Sequence, residues 1–205
     1  MKGLLFSEPM VKAWMEGRKS VTRRIVKLPP DFHPVYAASA NMEDPPVWFD
    51  FVDEGGMLRR TKAPYRSGET VYIKEAWAYH DPLFDDDKAE AFHVAALIDP
   101  SRIIYRASSP EYLKRRWRSP RFMPEWASRS KARIVSVRPE RVQEINDEDA
   151  FREGCNGPIP ACVAGEMCEV GPCSYVHDFR SIWDTLHPGS WGRNDFVWRV
   201  ELEKI

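Results

Sequence analysis

Seventeen prolines spread over 205 residues restrict this chain more than any other feature of its sequence. Proline fixes φ, lacks an N–H and is excluded from helix interiors and central strands, so many of these residues have to sit in ordered loops. Eight tryptophans supply bulk to pack over such loops. The elements between them must be short.

With 43% hydrophobic residues the chain can bury one substantial core or two small ones, and a single domain spanning residues 1–205 is the expectation. Thirty basic and 31 acidic residues nearly cancel, so attraction to a polyanion has to come from local clusters and not from net charge. No run approaches the ~20 apolar residues that span a bilayer, and the opening MKGLLFSEPMVKAW lacks a signal-peptide core. The four cysteines all fall between Cys155 and Cys173, too local to staple the chain, which fits a reducing, cytosolic setting and no membrane partner.

Along the chain, Gly3–Phe6 is a short apolar run. Ser7, Glu8 and Pro9 then open a helix carrying Met10, Val11, Trp14 and Met15, and Gly17 stops it. The β-branched SVTRRIV that follows predicts a strand. Residues 28–66, rich in proline and aromatics without sustained periodicity, read as a long insertion with a turn near Glu54–Gly56. Further strands are predicted at Thr70–Trp77, at Arg102–Ala107 and along Ser128–Ile145, the last bent near Pro139. Asn146 caps a short helix over Asp147–Gly154, and Tyr175–Leu186 is an amphipathic helix. Phe196–Leu202 alternates as a closing strand. Strands with a few short helices at their joints predict a mainly β, α+β chain, best drawn as a small β-barrel.

Gly17–Arg24 reads GRKSVTRR and resembles the GRK-x-x-T-x-R signature of the ASCH family, whose fold is a barrel similar to the PUA domain. The order of elements agrees with that resemblance. So do WRSPRFMPEWASR, RPERVQEINDEDAFREG and the closing FVWRVELEKI, which are similar to a subgroup found in phages and prophages. The resemblance covers roughly the whole chain, with the 28–66 insertion and a cysteine-rich loop at 155–173 as decorations.

In ASCH members with a described activity, a lysine, a threonine and a glutamate hydrolyse the amide of N4-acetylcytidine. Carried over, these roles fall on Lys19, Thr22 and Glu153. Such chemistry is intelligible in itself: a threonine hydroxyl needs a base to take its proton, and a lysine serves only if burial or a neighbouring cation lowers its pKa. Arg23 and Arg24 are candidates for that tuning and for holding substrate. Glu153 would raise the lysine again, so it either orients Lys19 or handles the proton on the leaving amine. The simpler alternative is a solvated helix end at Gly17–Lys19 with Thr22 as an ordinary strand residue.

Glu75 and Trp77 are further candidates to border a base-sized pocket, with an exposed strand glutamate as the alternative. Between Lys114 and Arg121 lie five cations and no acid; Arg115, Arg116, Trp117 and Arg118 offer phosphate contacts and a stacking surface. The same cations could instead pair with Asp85–Asp87. Cys155, Cys162, Cys168 and Cys173, separated by six, five and four residues, are candidate structural zinc ligands, with His177 a possible replacement and free thiols the alternative. No cofactor is needed for the chemistry itself. The expected partner is RNA or a modified nucleoside. The rivals are a binding module without chemistry, a ribonuclease, and a phage accessory protein whose exposed tryptophans meet a host protein.

Overall fold

The computed structural model describes residues 1–40, 46–80, 100–109, 111, 116–157 and 174–205. Asp81, Asp85–Asp87, Lys114, Arg115, Cys162, Cys168 and Cys173 lie outside them. The chain divides into two compact units, one made of Met1–Gly17, Thr70–Ala132 and Lys204–Ile205, the other of Arg18–Glu69 and Arg133–Glu203.

In the first unit β1 (Lys2–Leu5) runs parallel to β6 (Thr70–Lys74), with Leu4 opposite Ile73. Helix α1 (Glu8–Met15) has Pro9 in its first turn, where a missing N–H costs nothing, and the chain turns out of it through Gly17 at φ +78. Its Trp14 is buried, packs edge-on to Phe6 and donates its indole N–H to Ser130 Oγ at 2.9 Å. The stretch TVYIKEAW does not form one strand. After Lys74 the Glu75 N–H turns to Met123 Sδ, and pairing resumes as β7 (Trp77–Tyr79) antiparallel to β8 (Ile103–Tyr105).

The second unit holds β2 (Val21–Ile25) antiparallel to β10 (Phe196–Lys204), and most of β9 (Lys131–Arg141), which contains Pro139 near its end. Residues 34–62, expected as an aperiodic insertion, form a three-stranded antiparallel sheet: β3 (Pro34–Ser39), β4 (Trp48–Asp53) and β5 (Leu58–Lys62). Alternation within WFDFVD turns Phe49 and Phe51 inward, where their rings lie 5.3 Å from Trp198 and Phe196 respectively. The expected turn is present between β4 and β5, with Gly56 at φ +78. Arg141 fixes the start of β3 by donating to Pro34 O at 2.6 Å.

Helix α2 (Asp147–Arg152) is capped by Asn146, whose side chain accepts from the Asp149 N–H at 2.8 Å, and three acids occupy its first turn. Helix α3 (Tyr175–Leu186) is capped by Ser174 and buries Phe179 and Trp183 against Val142, Ile145, Ala150 and Val197. Full burial of such side chains contributes about 1.5–3 kcal/mol each. A short α4 (Ser190–Arg193) leads into β10.

The five main strands are ordered β1-β6-β9-β10-β2, with β1 and β2 as open edges. The chain is therefore mainly β with short helices, but among the described residues the expected barrel does not close. No helix among them is long and apolar enough to cross a membrane.

Candidate functional site

Lys19 lies between α1 and β2, and its side chain is fully buried in the second unit. Its ammonium donates to three oxygens: Val21 O at 2.8 Å, Glu153 O at 2.7 Å and Glu153 Oε2 at 2.9 Å. Glu153 is the C-cap of α2, so the lysine also sits where the helix presents unsatisfied carbonyls. Burial lowers the Lys19 pKa from its ordinary value of 10.5, Glu153 opposes the shift, and Arg24 adds to it.

The other Glu153 oxygen accepts from Arg23 Nη1 at 3.2 Å. Arg23 also donates from Nε to Glu140 Oε1 and from Nη2 to Asp149 Oδ2, both at 2.7 Å. Arg199, directly across from Arg23 in the β2–β10 register, makes a two-pronged contact with Asp149 at 2.8 and 2.9 Å. The Arg199 and then the Arg23 hydrogen bonds hold the Asp149 carboxyl well below its ordinary range, against burial. Arg23, expected to tune Lys19, is instead committed to three carboxylates. Arg24 donates to the Arg23 carbonyl at 3.1 Å and is the arginine that acts electrostatically on Lys19.

Thr22 is fully buried on β2 opposite Val200. Its hydroxyl has no hydrogen-bond partner among the described residues, and so bonds neither the Lys19 amine nor the Glu153 carboxylate. A buried hydroxyl left unmatched costs about 1–3 kcal/mol. The arrangement can supply a lysine of lowered pKa, a carboxylate fixed at both oxygens, and a hydroxyl that no described residue hydrogen-bonds.

The remaining candidates are distributed differently. In the first unit Glu75 is buried and paired with Arg129 at 2.8 Å through both oxygens, so it is not an exposed strand carboxylate. Trp77 is buried in a cluster with Tyr79, Ile103, Met123 and Ala127, with the Arg118 guanidinium 5.5 Å from its ring. Arg116 is exposed and Trp117 half-buried; Arg115 is outside the described residues. Cys155 packs in the apolar cluster under α3, and burial, with Asp178 and Glu153 adding to it, raises its thiol to about 12. His177 lies on α3, its N–H capped by Ser174 Oγ at 3.2 Å. No group of three or more metal-capable side chains occurs among the described residues, and the other three cysteines lie outside them.

Sequence reasoning missed Glu140, Asp149 and Arg199. Glu140 and Arg199 left a signal, since a charged residue set among the apolar positions of a strand needs a partner, whereas Asp149 lies on α2 and left none. A pocket of about 570 Å³ also lies in the second unit, among Ile25, Leu28, Phe32, His33, Arg141 and Phe196; Lys19, Thr22 and Glu153 do not line it.

Comparison with protein-family models, with curated proteins and with solved structures gave no match.

Proposed function

We propose that this chain is an ASCH-type protein directed at RNA or a modified nucleoside, and that it hydrolyses the N4-acyl amide of an acylated cytidine. The observation that carries the reading is the buried 2.9 Å contact between Lys19 and Glu153, residues 134 positions apart, on the same unit as an unmatched Thr22 hydroxyl. In this reading neutral Lys19 takes the Thr22 proton while Oγ1 attacks the acyl carbonyl carbon. The C–N bond then breaks and the cytidine N4 leaves as an amine with a proton from the lysine or from Glu153. Water hydrolyses the acyl-threonine, so one amide and one water give one amine and one carboxylic acid. Thr22 is closed to solvent, and substrate binding has to open the second unit locally.

The test is incubation with N4-acetylcytidine and with RNA oligomers, reading free acetate and strand length. Acetate release that disappears in Lys19→Met supports the proposal; shortened strands would favour the ribonuclease instead.

A binding module without chemistry is the second reading, and one observation favours it: all three donors of the Lys19 ammonium are occupied by oxygens other than Thr22 Oγ1. There Thr22→Ala leaves ligand affinity nearly unchanged.

A further inference from the structure

The three-stranded sheet of the second unit has one face against Phe196 and Trp198, and its opposite face carries the exposed Tyr36, Trp48 and Leu58 side chains. On that opposite face the register places Trp48 opposite Lys62, Asp50 opposite Arg60, and Val52 between Tyr36 and Leu58. Tyr36 is 54% exposed and Trp48 41% exposed, high values for large aromatic side chains. Four residues of β4 separate the Trp48 and Tyr36 rows, which at the rise of an extended strand is about 14 Å. The Lys62 ammonium lies 5.7 Å from the Trp48 ring centre and makes no ion pair among the described residues. Strand β5, LRRTK, has no acid; Arg60 and Lys62 stand on this face, and Arg59, opposite Phe51, on the other. Among the described residues the one carboxylate on this face, Asp50, is held by Arg60 through two bonds of 2.8 and 2.9 Å.

We propose that this face is a stacking platform for single-stranded nucleic acid, with Trp48 and Tyr36 each taking a base and Lys62 a flanking phosphate. It extends the RNA-directed part of the reading above to a surface separate from Lys19. Exposed aromatics standing on a sheet beside a cation are how unstacked bases are commonly held, because every base has a π face and every link a negative charge. The charges across the middle of the face break its apolar area into two separate ends. That division suits spaced bases better than the continuous apolar stripe of a helix or a lipid surface.

The test is fluorescence anisotropy of a labelled uridine oligomer of about twelve nucleotides, with a duplex of equal length as competitor. Trp48→Ala and Tyr36→Ala are each expected to weaken binding about fivefold to a hundredfold. Trp48→Phe should keep most of the affinity. Lys62→Gln should reduce the salt dependence by about one phosphate contact. Circular dichroism checks that the variants, altered only at exposed side chains, remain folded. The oligomer carries no acyl group, so the result does not depend on acetate release. Absence of binding by the unaltered protein, alanine variants that bind equally well, or equal competition by the duplex would each overturn the platform. So would a dimer that Trp48→Ala dissociates with no oligomer bound, which would assign the face to a second copy.

Discussion

Arg23 and Arg199 stand directly opposite each other on β2 and β10, and one carboxylate, Asp149, reaches both guanidinium groups. Like charges in register repel and would part these strands. Asp149, Glu140 and Glu153 reverse the sign of that interaction and tie the strand pair to α2. The network therefore specifies a register, because a one-residue slip of β2 would carry Arg23 to the other face.

Removing the shared carboxylate leaves two buried cations competing for Glu140 and Glu153. Asp149→Asn should lower the unfolding free energy by about 3–5 kcal/mol, measured by urea denaturation. A loss under about 1 kcal/mol would mean that the remaining carboxylates suffice.

Acid should act through the same residue. The folded-state pKa of Asp149 lies below its ordinary 3.8, so its contribution is complete above that value and is lost as pH falls toward the folded-state pKa. Denaturation midpoints taken from about pH 6 down to about pH 3 should fall more steeply for the native sequence than for Asp149→Asn. Parallel slopes would remove Asp149 as the source.

The hydrolase reading requires a neutral Lys19, so the rate should rise with pH to a plateau whose inflection lies below 10.5. Glu153 is the main influence raising the Lys19 pKa, and Glu153→Gln should move the inflection of the residual rate to lower pH. Lys19→Arg, which stays charged, should cost about 10²–10⁴-fold in rate. A profile flat through this range would exclude the lysine as base.

Thr22→Val replaces an unmatched hydroxyl with a methyl of similar size. It should raise stability by about 1 kcal/mol or leave it unchanged, and abolish acetate release, whereas Thr22→Ser retains it. Clear destabilisation in urea would show that the native hydroxyl has a partner after all.

Where the elements lie was largely legible in the sequence. Ser7 and Pro9 opened α1, Asn146 and its three following acids fixed the start of α2, and the spacing of Phe179 and Trp183 marked α3. Local chemistry determines such ends. The sheet at 34–62 was not legible, because proline and aromatic content obscured a period-two pattern only a few residues long in each strand. At the candidate site, the motif around Lys19 and Thr22 and the helix end at Glu153 could be paired by resemblance. That Arg23 would clamp three carboxylates depends on side chains brought to β2 from β9 and α2, and no local pattern encodes those meetings.

Among the described residues Thr22 Oγ1 is buried without a hydrogen-bond partner. In the hydrolase reading proposed above, no hydrogen bond from a described residue to that oxygen has to break before it attacks the acyl carbon. Discrimination would follow in that reading: analogues of equal shape whose carbonyl is reduced to methylene offer the hydroxyl no electrophilic carbon and should persist unchanged.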